Sequence, residues 1–233
     1  MKIIINGLGR IGKLVFRRLC DENLHKNILM VNEKAGSASD QEYFLRYDTV
    51  HGTWGDDLCF ENGCLNYKDH SIAVMTEGSI ESISFPKSEK FLVVDCTGVN
   101  KSEKLLEPYF ERKASYVLIS APIESSNVQN IVYGINHQSI DTSAYKIFTA
   151  ASCTTNCLAP IVKVLEENIG IKHGSITTIH NITNSQTIVD APKNNLRRSR
   201  SGINSLIPTT TGSARAISLI YPELKGRLNG HAV

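Results

Sequence analysis

Short apolar runs alternate with amphipathic stretches through the first hundred and fifty residues. Lys2 to Ile5 is β-branched and leads into glycines, and Ile11 to Cys20 then carries apolar residues at helical spacing. Ile28 to Asn32, Phe91 to Cys96 and Tyr116 to Ser120 are further apolar runs, and Ile131 to Tyr133 is strand-like. Near-continuous apolar strands separated by helices predict a parallel sheet covered on both faces. Ser102 to Lys113 predicts a helix kinked at Pro108. Asn62-Gly63, flanked by strand formers, predicts an antiparallel insertion over Asp57 to Met75.

The texture changes at Cys153. Cys153 to Glu167 reads as a helix with Pro160 near its start, and Ser175 to Thr183 as one long strand. Asn184 to Pro208 has four closely placed basic residues and little periodicity, the mark of a functional or disordered loop. Gly212 to Tyr221 predicts a helix and Arg227 to Val233 another strand. The pattern divides the chain near residue 151, into a first domain over 1–151 and a second over 152–233.

Composition narrows the partners. Among 233 residues, 25 Lys and Arg face 23 Asp and Glu, a net +2 that lacks the basic excess of a nucleic-acid or membrane-surface binder. No apolar run reaches the roughly 20 residues a bilayer span needs. The six cysteines form no C-x-x-C pair and no metal-ligand set, and their spacing does not suit a disulfide scaffold, so a cytoplasmic location is expected.

Two motifs carry chemistry. Gly7-Leu-Gly9-Arg-Ile-Gly12 follows a strand and opens a helix, where glycines allow a tight turn, close approach of a pyrophosphate and helix–strand packing. Glu33 follows Gly12 by 21 residues, at the end of the second strand. A carboxylate there accepts hydrogen bonds from an adenosine ribose and repels a 2′-phosphate, so NAD is expected rather than NADP. Cys153, within Ser152-Cys-Thr154-Thr155-Asn156, sits where a loop feeds a helix, a setting that stabilises a thiolate. His180 reads either as a satisfied core histidine or as the thiol's base, and Cys157 as structural or as an oxidation target. Thr183, Ser185, Arg198 and the Thr209–Gly212 turn offer anion-binding groups, while Arg197 and Arg200 read as a solvated loop or a subunit contact.

N-G-L-G-R-I-G from Asn6, Y-D-T-V-H-G from Tyr47, A-S-C-T-T-N-C-L-A-P from Ala151, L-R-R-S-R from Leu196 and P-T-T-T-G from Pro208 resemble phosphorylating glyceraldehyde-3-phosphate dehydrogenase along the whole sequence. H-G-S-I-T-T-I-H from His173 and the final N-G-H-A-V are most similar to its arsenical-resistance branch. The resemblance implies a Rossmann-type doubly wound sheet followed by an α+β catalytic domain. Relatives continue past Val233, so this domain is expected to be incomplete and the sequence truncated at its carboxyl end.

Cys153 would be the nucleophile and His180 its base. Gly7, Gly9, Arg10, Ile11, Gly12, Glu33, Thr97, Gly98 and Ser120 would contact NAD. Ser152, Cys153, Thr154, Thr183, Arg198, Thr211 and Gly212 would hold the substrate phosphate and the attacking inorganic phosphate or arsenate, with Ser185 assisting. Glu33 stands in place of the usual Asp. The implied assembly is a homotetramer and the implied substrate glyceraldehyde 3-phosphate. An inactive NAD-binding protein and an erythrose-4-phosphate dehydrogenase remain the alternatives.

Overall fold

The computed structural model describes residues 1–86, 90–183 and 186–233. Contacts divide the protein into two compact units, Met1–Ile131 with Ser139–Ala151, and Val132–Gln138 with Ser152–Val233.

The first unit carries strands β1 (Lys2–Asn6), β2 (Ile28–Asn32), β3 (Tyr47–Asp48), β4 (Gly52–Thr53), β5 (Leu58–Glu61), β6 (Cys64–Tyr67), β7 (His70–Met75), β8 (Phe91–Asp95), β9 (Ala114–Ile119), β10 (Val128–Asn130) and β11 (Ile147–Thr149). Its helices are α1 (Arg10–Asp21), α2 (Asp40–Arg46) and α3 (Glu103–Glu111). Nine of these strands form one sheet in the order β10-β11-β9-β8-β1-β2-β7-β6-β5. Every pairing is parallel except β7–β6 and β6–β5. The backbone leaves β1 for β2 on one side and reaches β8 on the other, so the strand order reverses at the carboxyl ends of β1 and β8, where doubly wound sheets bind ligands.

Successive strand side chains point to opposite faces, and here both faces are covered. Ile4, Met30 and Val93 join Leu106 and Tyr109 of α3 in one core, while Ile5 and Val31 join Phe16 and Cys20 of α1 in the other. That double burial explains the unbroken apolar runs. The Asn62-Gly63 turn behaves as its composition dictates: both residues have positive φ, 52° and 79°, and join β5 to β6 as an antiparallel hairpin. The next strand, β7, turns back to lie parallel to β2.

Two expectations shift. Ile131 to Tyr133 is not a strand; β10 ends at Asn130, and the Val132 amide donates to the Asn136 side chain (2.7 Å), which pulls the backbone into a turn through Gly134 (φ 84°). The short β11 and α2 were not foreseen in the pattern. Pro108 lies inside α3 as expected.

The second unit holds α4 (Cys153–Asn168), β12 (Gly174–Thr178), α5 (Ser213–Ile220) and β13 (Leu228–Ala232). β12 and β13 pair in parallel from Gly174↔Leu228 to Thr178↔Ala232. Ala159 and Val162 of α4, Ile217 of α5, Ile207 and Leu224 are buried in this unit. The expected strand over Ser175 to Thr183 is shorter in the structure and ends at Thr178. Between 186 and 208 regular structure is limited to the 3-10 turn Leu196–Ser199. Ser185 lies outside the described residues. Among the described residues no helix is long and apolar enough to cross a membrane.

Candidate active site

The glycine motif folds as a turn that a side chain would obstruct at two places. Gly7 has φ +91°, and a Cβ there would lie 2.8 Å from the Cys96 carbonyl carbon; a Cβ on Gly12 would lie 1.8 Å from the Gly7 oxygen. Both are packing glycines. Gly9 is different, because its bare Cα faces open space. It precedes α1, whose first turn has neither a side-chain cap nor an acidic residue, so the amides of Arg10, Ile11 and Gly12 form an uncapped positive helix end. Open backbone followed by an uncapped N-terminus suits a pyrophosphate.

Beside this turn lies a cleft of about 270 Å³, lined by Gly7, Gly9, Glu33, Glu77, Thr97 and Asn100 among others. Glu33 follows β2 directly, and its carboxylate accepts from the amides of Leu8 (2.7 Å) and Ala35 (2.9 Å). It thereby fixes the glycine turn to the second strand. The Arg10 side chain instead forms a bidentate pair with Asp48, leaving only its backbone directed at the turn. Asp48 also accepts from the amides of Val50 and His51; the Arg10 guanidinium first, then these amides, hold its carboxyl well below the usual range. Gly98 has φ +71° in the loop after β8, and the Ser120 amide donates to the Asp95 carbonyl (2.9 Å).

Asp95 is the residue that sequence reasoning overlooked here. It is fully buried at the end of β8, and its carboxylate accepts from the Thr97 amide (2.9 Å), the Thr97 hydroxyl (2.6 Å), Asn100 Nδ2 (2.7 Å) and the Tyr109 hydroxyl (2.8 Å). The signal was present: a lone acid closes the otherwise apolar run Phe91-Leu-Val-Val-Asp95.

In the second unit, Ser152 is the N-cap of α4; its hydroxyl accepts from the Thr155 amide (3.1 Å). Cys153 is therefore the first residue of a 16-residue helix, at its positive end. Ala151, just before, has φ +56°, a left-handed conformation unusual for a side-chain-bearing residue. Its amide donates to the buried Thr149 hydroxyl (3.1 Å), which holds the turn.

His180, past the end of β12, places Nε2 3.2 Å from Cys153 Sγ. Its Nδ1 lies 2.8 Å from the Asn181 carbonyl, which can only accept, so Nδ1 carries a proton and Nε2 is left to face the sulfur. The His180 amide donates to the Val233 carbonyl (2.8 Å), one residue past β13. Burial pushes the Cys153 thiol up, but the His180 and Thr154 hydrogen bonds and the imidazole charge outweigh it, so the thiol falls below its ordinary value. The bond to Cys153, and next the Asn181 carbonyl, raise His180 above the ordinary imidazole value. Both shifts favour thiolate and imidazolium.

The anion-binding candidates lie in the same unit. Arg198 Nη2 donates to the Thr209 hydroxyl (2.7 Å), and Thr209 bridges Ala232 of β13. Since Ala232 pairs with Thr178, the Arg198–Thr209 contact lies about two strand spacings, roughly 10 Å, from the end of β12 that leads to His180. The Thr211 hydroxyl meets that of Ser213 (2.7 Å), and Gly212 is the N-cap of α5. The Thr183 amide donates to Gln186 Oε1 (3.0 Å). Arg200 pairs with Asp190 (2.7 Å) on the surface, in line with its reading as a solvated residue.

Fold and dinucleotide cleft together define a NAD-dependent oxidoreductase. Residues 1–103 match the family described as "Glyceraldehyde 3-phosphate dehydrogenase, NAD binding domain", and residues 152–233 match its "C-terminal domain". The whole sequence is 44% identical to glyceraldehyde-3-phosphate dehydrogenase 3 of Nostoc sp., covering 68% of that protein. It is 40% identical to the glyceraldehyde-3-phosphate dehydrogenase of Geobacillus stearothermophilus and 39% identical to glyceraldehyde-3-phosphate dehydrogenase 1 of Bacillus cereus, covering 69% of each. The chain belongs to the glyceraldehyde-3-phosphate dehydrogenase family.

The open space at Gly9 yields a direct test of the cofactor cleft. A Cβ at Gly9 meets no heavy atom within 4 Å beyond its chain neighbours, so Gly9→Val is expected to fold and to obstruct a bound dinucleotide. Fluorescence titration is expected to record at least about a 30-fold loss of NAD affinity, the scale of blocking one close phosphate contact, at an unchanged thermal midpoint.

Proposed function

We propose that this protein oxidises glyceraldehyde 3-phosphate with NAD and phosphate to 1,3-bisphosphoglycerate through a thioester on Cys153. The observation that carries the reading is the 3.2 Å approach of His180 Nε2 to Cys153 Sγ at the start of α4. NAD binding is assigned to residues 1–151 and catalysis to residues 152–233. Gly7, Gly9 and Gly12, the amides of Arg10 and Ile11, and Glu33, Thr97, Gly98 and Ser120 would hold the cofactor. Bound NAD supplies the hydride acceptor.

The thiol proton passes to His180 Nε2, and the Cys153 sulfur attacks the aldehyde carbon, forming a C–S bond and an oxyanion. The imidazolium and the Cys153 amide at the helix end donate hydrogen bonds to that oxyanion. Loss of hydride from the carbon leaves a thioester. A phosphate oxygen then attacks it, the C–S bond breaks, and the thiolate is restored. Ser152, Thr154, Thr183, Arg198, Thr211 and Gly212 would hold the substrate phosphate and the attacking anion, with hydroxyls, a guanidinium fork and backbone amides suited to oxyanions.

Arsenate has the same shape and charge and would enter the same site, giving 1-arseno-3-phosphoglycerate; the H-G-S-I-T-T-I-H segment supports a role in arsenate resistance. Exposed Tyr43, Phe44 and Tyr47 support a subunit contact within a homotetramer, and six free cysteines support a reducing cytoplasm. The test is NADH formation from glyceraldehyde 3-phosphate and NAD, with phosphate, arsenate or neither. Sustained turnover is expected only with an oxyanion present; turnover independent of both would overturn attack by phosphate as the step that discharges the thioester.

A further inference from the structure

We propose that Tyr109 is a positioning residue for NAD, its buried hydroxyl joining the two rims of the dinucleotide cleft through one line of hydrogen bonds. The inference rests on the assignment of that cleft to NAD. Tyr109 is fully buried on α3 and does not itself line the cleft. Its hydroxyl donates to Asp95 Oδ2 (2.8 Å) and accepts from Asn6 Nδ2 (2.5 Å). On one side, Asp95 holds Thr97 and Asn100, which form one rim. On the other, Asn6 Oδ1 accepts from Asn32 Nδ2 (2.8 Å), and Asn32 grips Glu77 of the opposite rim by its amide (2.8 Å) and carbonyl (3.0 Å).

A hydroxyl suits this junction because it donates and accepts at once. Burial first, and then the Asp95 charge, push its pKa upward, so it keeps the proton it donates. Without that hydroxyl, Asp95 Oδ2 retains only Asn100, and Asn6 Nδ2 loses its acceptor inside the protein. A buried polar group left unpaired seeks another arrangement; the Cys96 amide still donates to the Asn6 carbonyl (2.7 Å) and the Gly7 amide to the Asn32 carbonyl (2.7 Å), so the strands hold and the shift falls on the side chains of the two rims. Cofactor binding should then weaken while the chemistry at Cys153 proceeds unchanged.

Tyr109→Phe keeps the ring and removes only the hydroxyl. Phe85→Leu is its control, since the Phe85 ring packs edge-on against Tyr109 (5.9 Å) and stacks on Phe91 without reaching the hydrogen bonds. Tyr109→Phe is expected to raise the Kd and KM for NAD about tenfold, the scale of one unpaired buried group, with kcat and Cys153 alkylation unchanged. Phe85→Leu is expected to lower the thermal midpoint and leave NAD affinity alone.

Native NAD affinity in Tyr109→Phe would overturn the proposal, as would weakening in both variants in proportion to lost stability. Gly9→Val separates the two levels: if it abolishes NAD binding while Tyr109→Phe is silent, the positioning role fails and the cleft assignment stands. If Gly9→Val is also silent, the cleft assignment itself fails. Hydrogen exchange in the native protein is a second measurement that needs no variant. NAD is expected to slow exchange of the Thr97 and Glu77 amides together, and protection of one without the other contradicts a connection between the rims.

Discussion

Cys153→Ser is expected to turn over glyceraldehyde 3-phosphate at least about 10⁴-fold more slowly than the native protein, as loss of a nucleophile does elsewhere. Serine preserves the shape of the helix start and the Ser152 cap, so folding and NAD affinity stay unchanged. What it removes is a group that ionises readily. The thiol already sits below its ordinary value against the helix end and His180, whereas a serine hydroxyl in the same place remains protonated and attacks an aldehyde poorly. Steady-state kinetics beside an NAD titration check both halves. Residual turnover within tenfold of native would mean that the sulfur forms no bond to substrate.

His180→Asn is expected to lower kcat by about 10²- to 10⁴-fold, the range of a lost general acid–base group. It also has a signature independent of turnover. Burial alone raises the Cys153 thiol, and the His180 hydrogen bond heads the effects that bring it down. Asparagine removes the imidazolium, so the thiol rises, and the midpoint for alkylation by iodoacetamide moves to higher pH. At neutral pH the variant is alkylated more slowly than the native protein; well above the ordinary thiol range the two rates converge. The same bond raises His180 above its ordinary imidazole value, so the contact favours thiolate and imidazolium together. An unchanged alkylation profile in His180→Asn would separate the histidine from the thiol.

Those elements that bury both faces, such as Ile3 to Ile5 or Val93 and Val94, announce themselves as apolar runs, and the parallel sheet was legible in them. Asn62-Gly63 was legible for a local reason, since both residues tolerate the positive φ that a tight hairpin needs. β11, three residues long, and α2, seven, are too short to display a period, and tertiary packing alone makes them regular. The strand over Ser175 to Thr183 failed in the opposite way: its alternation continues past Thr178, but β12 ends there with its pairing to β13, and His180 Nδ1 bonds the Asn181 carbonyl.

At the candidate site, the glycines and the cysteine were legible because each answers a local demand of backbone or helix end. The approach of His180 to Cys153 across 27 positions was not, nor was the left-handed backbone at Ala151. Arg10 shows the limit most clearly. Motif position points it at the dinucleotide, yet its guanidinium is spent on Asp48, and only the backbone is left for a phosphate. The line from Thr97 through Asp95, Tyr109, Asn6 and Asn32 to Glu77 joins residues from five separate segments. No spacing in one segment encodes such a line.

Mass analysis of the Cys153 peptide after mixing the native protein with glyceraldehyde 3-phosphate and NAD, without phosphate or arsenate, would decide the mechanism. A 3-phosphoglyceroyl adduct on Cys153, absent from Cys157 and discharged on adding either oxyanion, is the expected result. NADH formed in the first turnover with Cys153 unmodified would contradict covalent catalysis by this thiol.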